Sequence, residues 1–458
     1  MPQDEIVIQK KMNSLKNFFK IKNEDDHIIT KKDNHSFNYG QFSFISGIIF
    51  LSSALPVSIF FLLIALSISI KKIYKNFFSD KWNITLLICS VLMLISCWLR
   101  TYFPNQYEFA YQAKGSWIDI LNWIPLFLSF FGFQFYLRTS SQRILCAKAL
   151  IISTIPVIYS CISQYWFKIF GPFTTLFGLI TWYQKPFEND QSGVTGLFNN
   201  PNYTGYWLST ILPFSLYFLA KNKSRKNLIF FLSINFLLIL YFLINTSSRN
   251  SLISILLSSL LIISTKALFL SIIVGLLILI FLKFLNPLFP IDLQELILNF
   301  FPDKLINKLM LFKNLNINSF HRYDVFKSAI IFILKKPIFG WGASTFGILY
   351  LSNGGFSPAT HTHNLILEIT YNYGIIISLI ISLFIFNLLL KSWLVIKQYK
   401  RNIISLIDKF WVMSALSSVI FHMNDIPYYD GKISIVFWLL LAGLKCIVSD
   451  YEKTNLTR

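Results

Sequence analysis

Charge is what this chain has least of. Asp, Glu, Lys and Arg make up 14% of its 458 residues against 54% hydrophobic ones, too few to clothe a water-soluble protein of this size. Acids are scarcer than bases, 21 against 41. Only five cysteines occur, Cys89, Cys97, Cys146, Cys161 and Cys446, each within or beside an apolar run. They have neither a metal-binding pair spacing nor an even-numbered disulfide framework, and read as small lipid-facing or packing residues. A phosphate-cradling P-loop and a Gly-rich dinucleotide turn are both missing. The N-terminal polar stretch, with Glu24, Asp25, Asp26 and Asp33, is too long and too acidic for a signal peptide. Residues 1–40 are therefore expected to form a cytoplasmic tail, whose basic part from Lys10 to Lys22 is either disordered or rests on anionic headgroups.

What the chain does have is one apolar run after another. A bilayer-spanning helix needs about 20 mostly apolar residues. Such runs cover Asn83–Leu99, Trp117–Leu137, Ile144–Gln164, Tyr203–Ala220, Asn227–Ile244, Ala267–Leu285, Asn364–Leu390, Phe410–Asn424 and Ile433–Val448, with a shorter one at Ser251–Ser264. Gln41–Ile70 is too long for one simple helix, and Pro56 divides it into two short crossings. Trp82, Trp98, Trp117, Trp166 and Trp207 sit near run ends, where an interfacial aromatic belt belongs.

The formal charge of +20 would suggest nucleic acid in a soluble protein, but here the bases lie in short loops between apolar runs. They cluster at residues 71–81, 138–148, 221–226 and 391–409, where the only acids are Asp80 and Asp408. The alternate connections around 101–116 and 165–202 balance Lys114, Lys168 and Lys185 against Glu108, Glu188 and Asp190. By the positive-inside rule the basic loops are cytoplasmic and the balanced ones external. The fold class expected is an all-α integral membrane protein of about twelve transmembrane helices with both termini cytoplasmic. One membrane domain over 41–450 holds a large external loop, 286–362, and 451–458 form a C-terminal tail. Within the loop, Tyr323–Lys336 reads as an amphipathic helix on the membrane surface. The expected partners are membrane lipids, with no nucleic acid.

On this topology the chemistry-bearing residues His321, His361, His363, His422, Arg249 and Arg322 collect at the external face. Arg249 closes Asn245-Thr246-Ser247-Ser248-Arg249-Asn250 just before an apolar helix. A guanidinium at that depth is costly unless paired or wet; it is either a snorkelling anchor or an anion clamp, and its forked donors match phosphate oxygens. Arg322 precedes the amphipathic helix and either pairs with Asp324 or makes a second phosphate contact. His361-Thr362-His363-Asn364 opens the long apolar run through residue 390. Two histidines at i and i+2 suit a metal, but Glu368 lies more than a turn away and no third ligand is evident. Neutral imidazole can instead take a proton from a hydroxyl, and a helix N-terminus favours a neighbouring anion. A purely structural cap is the alternative.

At these residues the chain resembles the O-antigen ligase and polymerase superfamily, bacterial membrane glycosyltransferases that use undecaprenyl-diphosphate-linked glycans. The resemblance lies in Gly196-Leu197-Phe198-Asn199-Asn200-Pro201-Asn202, Ser247-Ser248-Arg249, Arg322 through Pro337-Ile338-Phe339-Gly340-Trp341-Gly342, and His363-Asn364 followed by Gly374. The ending His422-Met423-Asn424-Asp425-Ile426-Pro427 is similar to that of ligase-like members. Many relatives carry an Arg before the first glycine motif where this chain reads Asp190-Gln191-Ser192-Gly193. That departure argues against a diphosphate contact from this loop.

The resemblance implies a GT-C-type ligase fold with His363 as the catalytic base, Arg249 and Arg322 binding the donor diphosphate, and His361, Asn364 and Asn202 in support. It implies transfer without metal or other cofactor, from an undecaprenyl-diphosphate-linked glycan to lipid A core or another surface acceptor, at the inner membrane. The absence of an Asp-x-Asp metal site of nucleotide-sugar enzymes agrees with this. A polymerase of the same superfamily and a lipid-linked saccharide transporter are the alternatives. The near absence of ionisable groups within the spans speaks against a transporter.

Overall fold

The computed structural model describes residues 39–102, 113–187, 193–222, 226–263, 321–355, 359–398 and 405–456. Most of them, 77%, are helical. In chain order the helices are α1 (Tyr39–Phe50), α2 (Leu55–Ile73), α3 (Lys81–Tyr102), α4 (Ala113–Ile120), α5 (Ile124–Phe133), α6 (Ser140–Tyr165), α7 (Pro201–Lys221), α8 (Lys226–Asn245), α9 (Arg249–Ile263), α10 (His321–Lys335), α11 (Phe346–Ser352), α12 (Leu365–Tyr373), α13 (Ile375–Gln398), α14 (Leu406–His422) and α15 (Gly431–Leu456). The one sheet among the described residues is a two-stranded antiparallel hairpin, β1 (Phe173–Thr175) with β2 (Ile180–Trp182), between α6 and α7. Seven helices among the described residues are long and apolar enough to cross a membrane. The chain is a multi-pass membrane protein. The span at Ala267–Leu285, residues 286–320 of the large loop, the tail through residue 38 and Asp190–Ser192 lie outside the described residues.

Local sequence explains most boundaries. The first apolar run does divide at Leu51–Ala54, with Pro56 in the first turn of α2, where a missing N–H breaks no helix bond; α1 begins at Tyr39, before the expected Gln41. α6 opens with a capping box between Thr139 and Gln142. α7 opens on an Asn200 cap with Pro201 in its first turn. Trp117–Leu137 matches one candidate span, Lys114–Tyr136, which a turn at Leu121–Trp123 interrupts between α4 and α5.

Asn364–Leu390 is also not continuous. It breaks at Gly374, whose φ of +91° belongs to glycine. The break receives the Pro337–Gly342 turn: Trp341 N–H donates to Tyr371 O at 2.7 Å, Gly342 N–H to Asn372 O at 3.2 Å and Ile375 N–H to Pro337 O at 2.8 Å. A Cβ on Gly374 would strike the carbonyl of Ile338, and one on Gly340, φ +65°, the carbonyl of Tyr371. Arg100 from α3 locks the joint by donating to the carbonyls of Phe339 and Asn372. Gly374→Ala is expected to lose about 1–3 kcal/mol from backbone conformation alone, before the collision with Ile338, and thermal unfolding in detergent would read this as a lower midpoint.

α15 is apolar around its circumference and accordingly buried on all sides, packed by α5, α7, α13 and α14. All five cysteines are buried and reduced; they are packing residues and do not face lipid. Arg143 and Asp408, assigned from sequence to basic loops, form a fully buried ion pair at 2.8 Å that ties α6 to α14. α10 covers the expected amphipathic stretch. Together with α11 and α12 it builds a small second core around Phe332, Trp341, Phe346, Tyr350 and Tyr371.

Candidate functional site

Five helix ends converge on one place: the starts of α7, α9, α12 and α15, and the end of α14. Asn364 caps α12, its Oδ1 accepting from Leu367 N at 3.0 Å. Its amide donates to Met423 O at 2.7 Å and thereby anchors α12 to the α14–α15 connection. The residue before the cap is His363, held at φ +54° in the left-handed region, which a non-glycine side chain occupies only when its surroundings enforce it. Here they do. Thr362 N–H donates to Glu368 Oε2 at 2.9 Å, and His363 N–H to His361 Nδ1 at 3.3 Å.

This backbone turns the His363 ring onto Asp425, with Nδ1 and Oδ1 3.2 Å apart. Asp425 is buried and well supplied with donors. Its Oδ1 accepts from Ile426 N at 2.9 Å and its Oδ2 from Asn202 Nδ2 at 2.7 Å. Burial pushes the Asp425 carboxyl upward, but the His363 hydrogen bond and the nearby Arg322 and His363 charges outweigh it and hold the group below the ordinary carboxylate range. His361 goes the other way. Burial first, then the adjacent His363 and Arg322, lower it to about 4, so it is uncharged near neutral pH. Its ring centroid lies 4.3 Å from that of His363.

Arg249 is the first residue of α9, outside the apolar run that begins at Ser251. Burial, and then the Arg322 charge, lower its basicity, so the two guanidinia feel each other. Arg322, in the first turn of α10, is exposed and acts electrostatically on Arg249, His361 and Asp425 alike. Asp324 does not pair with Arg322 among the described residues; it accepts from the Tyr350 hydroxyl at 2.6 Å. Beside Arg249, the Asn250 amide donates to Phe421 O at 2.8 Å, and Asn424 Nδ2 donates to Asn250 Oδ1 at 3.4 Å. The segment just before the glycine motif docks here as well. Val194 N–H donates to Asn245 O, and a Cβ on Gly193 would strike the carbonyl of Thr246.

The structure therefore brings His363, His361, Asn364, Asn202, Arg249 and Arg322 into one neighbourhood. It leaves His422 out. That ring is buried against Tyr206 and Phe437 with Nδ1 at 2.8 Å from Ser418 O, a packing role. Asp425, at the centre, was not singled out from sequence. Its only signal there was its place in the His422–Pro427 phrase, 62 residues from the histidine it meets. Asp425 also stands where Glu368 could not. The ligand atoms of His361, His363 and Asp425 lie within 4.8 Å of one another, a set that could hold a metal ion.

The fold and site together define a multi-pass membrane protein with an imidazole–carboxylate pair and two guanidinia between its helix ends. Residues 234–382 match the family model described as O-antigen ligase, which supports the O-antigen ligase and polymerase superfamily and a function of that general, glycosyltransferase-like type. The matched stretch contains Arg249, Arg322, His361 and His363. No curated protein matches the chain.

Proposed function

We propose that the protein is a bacterial inner-membrane glycosyltransferase of the O-antigen ligase type, moving a glycan from undecaprenyl diphosphate to a hydroxyl of lipid A core or another surface acceptor on the periplasmic side. About twelve spans, cytoplasmic termini and a periplasmic loop 286–362 belong to this reading. The observation that carries it is the 3.2 Å pairing of His363 with Asp425 beside two arginines.

With Nδ1 turned to the carboxylate, Nε2 is the nitrogen that receives the acceptor's proton as the acceptor oxygen bonds the anomeric carbon. Asp425 fixes that tautomer and stabilises the imidazolium that forms, as an orienting carboxylate does in a triad. The bond from the anomeric carbon to the diphosphate oxygen breaks with its electron pair going to the diphosphate. Arg249 and Arg322 stabilise the charge that accumulates there. Attack opposite the leaving group inverts the anomeric centre.

None of these steps calls on a metal, although His361, His363 and Asp425 could hold one. Purified protein supplied with a lipid-diphosphate-linked glycan is expected to transfer it with EDTA present. Loss of transfer on chelation, restored by a divalent ion, would replace the base mechanism with a metal-assisted one. Offering lipid A core and a second lipid-linked glycan in separate reactions distinguishes ligase from polymerase, and transfer to neither would remove the assignment.

A further inference from the structure

On the Asn202 side of Asp425 lies a cavity of about 530 Å³, within the size range of ligand pockets. Its walls come from four places. Thr181 lies in β2 and Tyr183 just after it, Asn199 and Tyr203 flank the start of α7, Ser53 and Leu55 mark the α1–α2 break, and Tyr429, Asp430 and Lys432 flank the start of α15. Asn202, which donates to Asp425, is the chain neighbour of Tyr203, which lines this cavity and feels the Asp425 charge.

The walls are held in place. Trp182 Nε1 donates to Ser53 O at 2.8 Å, and buried Gln184 binds Ser163 Oγ at 3.1 Å and Ile169 O at 2.6 Å through its amide. Tyr429 donates to Glu368 Oε1 at 3.3 Å on α12. The cavity also presents a poorly satisfied cation. Lys432 is buried, its ammonium donates to Leu197 O at 3.4 Å and lies 4.9 Å from the Phe198 ring centroid; the Asp430 charge acts on it, but among the described residues no carboxylate lies within ion-pair distance. An ammonium has three donors, and the one long bond to Leu197 leaves others for an acceptor in the cleft.

Three phenols, a carboxylate, an ammonium and a carboxamide around one opening are suited to a ligand with apolar C–H faces and many hydroxyls. Aromatic rings take the faces, and the polar groups take the hydroxyls with directional bonds. We infer that this cleft is a saccharide subsite that seats one glycan unit against the His363–Asp425 pair. The inference rests on the proposed function for its place in a reaction, but not for binding itself. The unit belongs either to the acceptor or to the donor's glycan.

The test uses the full chain in detergent. Saturation-transfer NMR with di- and trisaccharides of hexose, N-acetylhexosamine and hexuronic acid is expected to show contacts in the wild type and in His363→Ala alike, lost in Asn199→Ala and Lys432→Gln. In the transfer assay both cleft variants should raise KM for one glycan substrate by about tenfold, as expected for one or two lost hydrogen bonds, with the effect carried by KM rather than kcat. A rise confined to the acceptor assigns the subsite to it, and one confined to the donor assigns it to the donor glycan. Saccharide contacts without any transfer would keep the cleft and sink the proposed reaction. Absence of saccharide contacts, or contacts and both KM values unchanged in the two variants, would overturn the inference while leaving the His363 mechanism standing.

Discussion

His363→Asn is expected to lower glycan transfer by about 10²–10⁴-fold, the range associated with losing a positioned general base. Asparagine is chosen because it tolerates the left-handed backbone that His363 adopts, whereas a β-branched residue would add strain at φ +54°. The fold should survive the change. Asn364, not His363, caps α12 and ties it to Met423, and the His363 side chain is 22% exposed. Helix content by circular dichroism and elution by size exclusion should match the wild type. An inactive but intact variant supports the assignment; an active one removes His363 from the chemistry.

The second large effect concerns the two arginines, where activity and stability should move in opposite directions. Arg249 and Arg322 are close enough for Arg322 to lower the basicity of Arg249, a repulsion that the Arg322 attraction to Asp425 partly offsets and that a bound anion would relieve further. Arg322→Gln should therefore leave the ligand-free protein as stable as before or slightly more so. Yet it should lower transfer by about 10²–10³-fold, the loss typical of one transition-state donor. Arg249→Gln should behave likewise in activity. Arg→Lys at either position should recover only part of the loss, because lysine keeps the charge without the fork. Pyrophosphate or undecaprenyl diphosphate should raise the thermal midpoint of the wild type and not of the glutamine variants. A midpoint rise that persists in both would place the diphosphate elsewhere.

Much of this arrangement was legible before any coordinates, because membrane helices announce themselves by composition and their ends by punctuation. Pro56 marks the first break, Asn200-Pro201 the start of α7, and Pro337 with Gly340 and Gly342 the turn after α10. The motifs that carried the family resemblance also have a physical meaning in the fold. The Pro337–Gly342 turn and Gly374 are two halves of one joint, and Gly193-Val194, just before the glycine motif, meets Asn245-Thr246 in another.

What could not be read was pairing across the chain. Gly374 lies inside a stretch whose average hydropathy stays high, so it reads as one run, and only the turn docked against it reveals a break. Arg143 and Asp408 lie 265 positions apart, and each looks like an ordinary loop charge until the helices meet. Asp425 escaped for the same reason. Its neighbours in sequence say nothing of a histidine 62 positions earlier, and an acid between two helices has no periodicity to betray it.

The central claim is that His363 and Asp425 act as one unit. A double-mutant cycle on kcat/KM for glycan transfer tests it most directly, using His363→Asn, Asp425→Asn and the pair. If the carboxylate works only through the imidazole, the double variant will be no slower than His363→Asn alone. Losses that multiply instead would mean that the two side chains serve separate steps, and the base mechanism described here would be wrong.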